Sequence, residues 1–310
     1  MISIVIPVYN EEKSLEPLTQ KLRDVLNRQN QNYEIIYIDD GSTDRSFYEL
    51  QNLYQQNPDH LKIIQFTKNF EKAAALMAGL NQAQGEIVFT MDGDLQDDPE
   101  EISNFLKKIG EGYDCVVGWK AKRYDPLSKT LPSKLFNYFV SRISKVKIHD
   151  FNCGFKAFTK EAADSLNLYG GLYRFIPALL GDKGFKITEI PVKHHRRKFG
   201  KSKYGFGRFV KGFFDIITLS VLIKFSQRPA HFFGNFGVLS SLIGLAVIIG
   251  LYIAKFVFQI LISERPYFFF LGLLLVIVGV QLISIGFLGE IIISNRSINK
   301  DHYRIKNILK

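Results

Sequence analysis

Apolar and polar positions along the first two-thirds of the chain follow two interleaved periods. Residues 2–6 form a short run of buried-strand type that ends at Pro7, and Leu15, Leu18, Leu22, Val25 and Leu26 then recur at the spacing of one helix face. Further strand-type runs cover residues 33–38, 61–66, 86–91, 113–118 and 186–192, with helical patterns over 46–56, 72–82 and 100–109. Strands alternating with helices of this length predict an α/β fold whose strands pair in parallel in a doubly wound sheet. In such sheets ligands sit at the carboxyl ends of the strands. Three polar clusters fall there: Asn10-Glu11-Glu12, Asp39-Asp40-Gly41-Ser42-Thr43-Asp44, and the segment from Asp92 to Glu100.

The pattern changes beyond Pro229. Residues 236–254 are an apolar run broken only by small residues, and residues 267–289 are a second one after the polar break Ser263-Glu264-Arg265-Pro266. At 1.5 Å per residue, roughly 20 residues cross the ~30 Å hydrocarbon core of a bilayer, so both runs reach spanning length. Gln281, near the middle of the second run, is expected to face another helix, because an unpaired amide in hydrocarbon is costly.

Charge orients the pair. Ten basic residues lie between Lys193 and Arg228 against the single acid Asp215, and five more lie between Arg296 and Lys310. The polar break between the runs carries little charge beyond Glu264 and Arg265, so the positive-inside rule places both termini in the cytoplasm at the inner (plasma) membrane. Much of the net charge of +10 belongs to this membrane-facing zone, which fits anionic lipid headgroups and not nucleic acid. Residues 1–8 lack the basic leader of a signal peptide, and the only cysteines, Cys115 and Cys153, fit a reducing cytosol.

The segment from Asp92 to Glu100 carries five acidic groups and the amide of Gln96 directly after a strand-type run. Asp92 and Asp94, two apart beyond a strand end, can aim oxygens at one point, as a hard divalent cation such as Mg²⁺ or Mn²⁺ requires. Asp97, Asp98, Pro99 and Glu100 also suit a solvated first helical turn. The Asp39 to Asp44 cluster reads either as a turn or as carboxylates for a nucleotide's base and ribose, with Gly41 allowing close approach. There is no Walker-type loop and no glycine-rich dinucleotide fingerprint, so phosphates would be held by metal and basic side chains.

Pro7-Val8-Tyr9-Asn10-Glu11-Glu12, Asp39-Asp40-Gly41-Ser42-Thr43-Asp44 and Asp92-Gly93-Asp94-Leu95-Gln96-Asp97 together resemble the signature of family 2 glycosyltransferases with the GT-A fold. More narrowly they resemble the polyprenyl-phosphate glycosyltransferases, dolichol-phosphate mannose synthase and bactoprenol glucosyltransferase. The resemblance continues through Asp150-Phe151-Asn152-Cys153-Gly154-Phe155-Lys156 and Arg197-Lys198-Phe199-Gly200-Lys201-Ser202-Lys203-Tyr204 and ends in the paired apolar runs. It implies a cytoplasmic GT-A (Rossmann-like) catalytic domain with a mostly parallel sheet (1–203), amphipathic interfacial helices (204–230), a two-helix transmembrane hairpin (231–294) and a basic tail (295–310). It also implies a homotetramer.

Site roles follow from the same resemblance. Pro7, Tyr9, Glu11 and Asp40 would surround the nucleoside, with Asp39 near its base. Asp92, Asp94 and Gln96 would bind Mg²⁺ or Mn²⁺ and the donor diphosphate, while Arg197 and Lys203 would clamp phosphate. Asp150 stands where the family has an aspartate near the acceptor, though a structural turn role stays open. The sequence departs from the family at Glu71, where glycine is commoner, at Asp98, where proline is frequent, and at Lys120 and Lys129, where arginine is expected.

Lys120, Arg123, Lys129, Ser133 and Arg142 alternate with Leu131, Leu135, Phe136, Tyr138 and Phe139. This reads as a solvated basic helix or as a site that takes a lipid phosphate from a membrane surface. The second reading is favoured by residues 204–227, whose Phe206, Phe209, Phe213, Ile217 and Val221 share one face. The expected reaction is inverting sugar transfer from a nucleotide sugar to a polyprenyl phosphate. UDP-glucose is the first choice of donor, followed by GDP-mannose and UDP-N-acetylglucosamine. A processive polysaccharide synthase is disfavoured because Trp119, the single tryptophan, is not in a Gln-x-x-Arg-Trp motif. A non-catalytic membrane scaffold is disfavoured by the intact Asp92, Asp94 and Gln96 set.

Overall fold

The computed structural model describes residues 1–29, 31–121, 127–195, 208–225, 229–259 and 265–296. Two compact units emerge, Met1–Leu219 and Ser220–Lys310. The first is an α/β unit with strands β1 (Ile2–Val8), β2 (Tyr33–Asp39), β3 (Leu61–Gln65), β4 (Ile87–Thr90), β5 (Cys115–Trp119), β6 (Lys156–Thr159) and β7 (Ile187–Pro191). Its helices are α1 (Leu15–Asn27), α2 (Ser46–Gln56), α3 (Glu71–Gln82), α4 (Ile102–Gly110), α5 (Leu127–Ser144), α6 (Lys160–Asp164), α7 (Ile176–Asp182) and α8 (Arg208–Ser220). The seven strands form one sheet in the order β3-β2-β1-β4-β6-β5-β7.

The centre of this sheet is buried on both faces. Every residue of β2 is buried, as is every residue of β1 except Pro7, which is what parallel strands covered by helices require. Leu15, Leu18, Leu22, Val25 and Leu26 all lie on the buried face of α1. Each such side chain contributes about 1.5–3 kcal/mol of transfer free energy, so this stripe fixes the helix against the sheet. Glu34, on β2, is 5% exposed yet fully partnered: Ser3 Oγ (2.6 Å) and the Gln84 N–H (2.7 Å) donate to it, and Lys62 Nζ stands 2.7 Å away.

Two local features differ from the sequence reading. β1 does not stop at Pro7 but runs to Val8, with Pro7 opposite Ile38 and Val8 opposite Asp39. Proline is tolerated there because pairing with β4 ends at Val5 opposite Thr90, leaving that edge free beyond. β6 is a strand the periodicity did not predict, and it pairs antiparallel with both β4 and β5. The sheet is therefore mostly parallel. The direction of the winding reverses between β1 and β4, and the crevice at their carboxyl ends is where α/β sheets bind ligands.

The second unit is a helical hairpin, α9 (Pro229–Phe258) and α10 (Pro266–Arg296), preceded by a π-helical turn at Val221–Phe225. Within them Pro229–Val257 and Pro266–Ile292, 29 and 27 residues, are long and apolar enough to cross a membrane. The two helices pack through glycine. A Cβ on Gly237 would stand 2.6 Å from the carbonyl oxygen of Gly279, so only a bare backbone permits this approach. Glu290 accepts from the Ala230 N–H at 3.2 Å, and Ser240 Oγ donates to the Leu275 carbonyl at 2.8 Å. Gln281 is exposed on α10.

Candidate active site

The loops after β1 and β2 are laced together. Ser42 Oγ accepts from the Asn10 N–H at 3.0 Å, Ser46 Oγ accepts from the Glu11 N–H at 2.8 Å, and the Thr43 N–H donates to Asn10 Oδ1 at 2.7 Å. Gly41, at φ +68°, has no room for a Cβ against the backbone of Lys68 and Asn69. The close approach expected at this glycine is thus to the chain itself. Asp39 accepts the Ser42 N–H on Oδ1 at 3.0 Å, while its Oδ2 is sealed from solvent with no hydrogen-bond partner among the described residues. Asp40 Oδ1 accepts from the Phe70 N–H at 2.7 Å, and burial raises its pKa above the usual carboxylate value. Tyr9 and Glu11 are half-buried in the same loop, next to Pro7.

The acidic segment after β4 faces this rim. Lys72, in the first turn of α3, forms an ion pair with Asp92 Oδ1. Burial works to raise the pKa of Asp92, but Lys72 beside it holds the carboxyl below its ordinary value. The backbone of Gly154 presses on the same carboxylate, since a Cβ there would lie 2.6 Å from Asp92 Oδ2. Thr90 Oγ1 fixes that approach by donating to the Gly154 carbonyl at 2.9 Å. Asp94 is 7% exposed and accepts from the Gln96 N–H at 3.1 Å. Lys72, Thr90, Asp92, Asn152 and Lys156 line one small cavity. Lys156 Nζ donates there to the Cys153 carbonyl, and burial pushes its pKa below the lysine norm.

Asp97 and Asp98 divide the two readings of their segment between them. Asp98 is a helix cap, accepting from the Glu100 N–H at 3.3 Å, and also meets His195 Nε2 at 3.1 Å. Asp97 is neither solvated nor capping. It pairs as an isolated bridge with His194, and its buried carboxylate lies 3.6 Å from Lys120 Nζ and 3.5 Å from His194 Nδ1. Burial opposes ionisation, yet Lys120 and then His194 bring the Asp97 pKa down to about 2. Burial likewise disfavours the Lys120 ammonium, and Asp97 overrides it and raises that pKa.

Asp92, Asp94 and Gln96 carry hard oxygen atoms beyond one strand end, the donor chemistry that Mg²⁺ or Mn²⁺ prefers, with Asp92 paired to Lys72. Among the described residues no three His, Cys, Asp or Glu side chains form a cage of their own. Gln96 reaches His194 Nε2 at 3.4 Å and the His195 carbonyl at 3.3 Å through its Nε2.

Residues 3–166 match the family described as Glycosyl transferase family 2. The chain is 35% identical to dodecaprenyl-phosphate galacturonate synthase of Rhizobium johnstonii, covering 94% of this chain and 87% of that one. It is 31% identical to undecaprenyl-phosphate 4-deoxy-4-formamido-L-arabinose transferase of Photorhabdus laumondii subsp. laumondii, covering 94% and 88%. The chain belongs to glycosyltransferase family 2. Among solved structures, glucosyl-3-phosphoglycerate synthase from Mycobacterium tuberculosis in complex with Mn²⁺, UDP and phosphoglyceric acid superposes at TM-score 0.56. It covers 72% of this chain and 78% of its own at 18% identity, and so shares the fold. This glycosyltransferase therefore has the GT-A fold, with two apolar helices after it.

The structure gathers the predicted donor residues of the glycosyltransferase, from Pro7 to Gln96, on one rim. Asp150, 1% exposed, lies in the segment between α5 and β6. Lys120 is packed on Asp97. Lys129 and Ser133 sit in the backbone of α5, while Arg123, Arg197 and Lys203 lie outside the described residues. The sequence reading passed over Lys72, Asp97 as an ion-pair partner, Lys156 and His194. The apolar spacing of α3 could have placed Lys72 near a strand end, but nothing in the spacing links His194 to Asp97.

Proposed function

We propose that this enzyme transfers a sugar from a nucleotide donor to the phosphate of a polyprenyl phosphate at the cytoplasmic membrane face, with inversion. The observation that carries this reading is the joining of the acidic strand-end rim to a chain that ends in two helices of membrane-spanning length. By name, one relative is a dodecaprenyl-phosphate galacturonate synthase and the other an undecaprenyl-phosphate 4-deoxy-4-formamido-L-arabinose transferase. On α5, Leu135, Tyr138 and Phe139 are exposed beside the exposed Arg142, as a helix meeting lipid headgroups would require. On α8, Phe214 and Ile217 are likewise exposed.

In this reading an acceptor phosphate oxygen attacks the anomeric carbon, the bond from that carbon to the donor diphosphate breaks, and a nucleoside diphosphate leaves. A phosphate monoester is already largely dianionic at neutral pH, so no strong general base is needed. Asp39 and Asp40 bind the nucleoside. Asp92, Asp94 and Gln96 would hold Mg²⁺ or Mn²⁺, which when bound neutralises charge on the leaving diphosphate. Arg197 and Lys203 clamp the phosphates, and Arg123, Lys129 and Ser133 meet the acceptor phosphate. Lys120 sets the charge around Asp97. Asp150 orients the acceptor. Self-association through Gln281, up to a homotetramer, completes the reading.

UDP-glucose is one candidate donor. UDP-galacturonate stands beside it because one relative is, by name, a dodecaprenyl-phosphate galacturonate synthase. The purified full chain in nanodiscs with undecaprenyl phosphate, offered labelled UDP-glucose, UDP-galacturonate, GDP-mannose and UDP-N-acetylglucosamine, is expected to make lipid-linked sugar from one of the UDP donors. Failure with all four would sink the reading of the donor. Orientation is tested by an impermeant maleimide on Arg265→Cys in intact cells. The native Cys115 and Cys153 are buried, with thiol pKa values pushed by burial to about 12, so labelling reports residue 265 alone. Protection of that position would reverse the topology.

A further inference from the structure

The segment from Lys145 to Phe155, between α5 and β6, belongs to no helix or strand, so nothing in the sheet's own hydrogen bonding fixes Asp150. Side chains from two distant elements do. Asn137 of α5, itself 8% exposed, donates from Nδ2 to the carbonyl of His149 at 2.7 Å. The same side chain accepts the Phe151 N–H on Oδ1 at 3.4 Å. One amide therefore grips the peptide on each side of Asp150.

A second hold comes from β7. Glu189 accepts the His149 N–H on Oε2 at 2.7 Å and pairs with His149 Nδ1 through Oε1. The imidazole is stacked on the Trp119 indole, with centroids 4.3 Å apart and planes 16° from parallel. Both ends of the histidine, backbone and ring, are thus tied to one carboxylate and one aromatic plane. The Asp150 carboxylate itself accepts the Asn152 N–H at 3.2 Å. Neither Asn137 nor Glu189 lies in any of the motifs that mark the site.

We propose that Asn137 and Glu189 are positioning residues for Asp150, fixing where its carboxylate stands when the acceptor phosphate arrives. This rests on the reading of Asp150 as an acceptor-side group. A displacement of about 1 Å at such a group costs on the order of a hundredfold in rate, so a loop held only by solvent would be a poor mount. The geometry explains why a buried amide and a half-buried carboxylate converge on a segment that belongs to no helix or strand.

The test uses the full chain in nanodiscs, with undecaprenyl phosphate and donor varied separately. Asn137→Ala and Glu189→Ala are each expected to lower kcat about ten- to a hundredfold, with the donor KM within twofold and the melting temperature nearly kept. Glu189→Gln keeps an oxygen for the His149 N–H and is expected to recover most of the rate that Glu189→Ala loses. Equal damage to donor KM and kcat, or no rescue by glutamine, would mark a merely structural role and overturn the proposal. Normal kcat in both alanine variants while Asp150→Asn is slow would overturn it and leave the reading of Asp150 standing. Normal turnover by Asp150→Asn would remove that reading, and the proposal with it. Should Asn137→Ala not fold, the comparison of Glu189→Ala with Glu189→Gln decides alone.

Discussion

Asp97 Oδ1 lies 3.6 Å from Lys120 Nζ, and the Asp97 side chain is only 1% exposed. The lysine follows the last residue of β5 and the aspartate belongs to the segment after β4, so this pair ties the acidic motif to the far half of the sheet. Asp97→Asn would leave the Lys120 ammonium buried without its anion. The expected cost is about 3–5 kcal/mol of stability, read by urea unfolding of the detergent-solubilised chain. Asp97→Asn combined with Lys120→Met should restore much of it, because the stranded charge is gone. A single variant as stable as the parent would contradict the pairing.

Glu34 makes stability depend on acid. Burial alone would raise its pKa, but Lys62, then Ser3 and the Gln84 N–H, hold it below the ordinary glutamate value. A depressed carboxylate contributes stability that is fully present above its unfolded value, about 4.3, and lost as pH falls through the lower folded value. Glu34→Gln should therefore cost about 1–3 kcal/mol at neutral pH. The gap from the parent should close as pH drops below about 4. A gap that widened on acidification would refute the assigned partners.

Much of this was legible in the sequence. The strand-helix alternation predicts the parallel half of the sheet, and the apolar runs predict both long helices, which extend beyond them by up to seven residues at one end. What escaped was set by tertiary context. β6 is four residues long, begins with Lys156 and runs directly into α6, so no period of two can be read from it. Pro7 looked like a strand end because its neighbour on that edge was unknown. Lys120 looked like an acceptor lysine from the basic residues that follow it, whereas its packing is decided by Asp97 on another loop.

Glu71 shows the opposite case, a residue whose oddness the sequence displayed. The resemblance places glycine more commonly there, and Glu71 adopts φ +70°. A left-handed backbone costs an L-residue roughly 1–2 kcal/mol that glycine avoids, partly offset by glycine's freedom in the unfolded chain. Glu71→Gly should stabilise the enzyme by about 1 kcal/mol, visible as a higher urea midpoint at unchanged slope. A lower midpoint would mean that the glutamate side chain holds more than its backbone loses.

In the proposed reaction the acceptor is a lipid phosphate served by the strand-end carboxylates. The most direct measurement follows labelled donor sugar into lipid with undecaprenyl phosphate or undecaprenol as acceptor, for the parent enzyme and for Asp94→Asn. A lipid-linked product of inverted anomeric configuration is expected from the phosphate alone, lost with EDTA, restored by Mg²⁺ or Mn²⁺, and absent in Asp94→Asn. Equal use of undecaprenol, or full activity in Asp94→Asn, would contradict it.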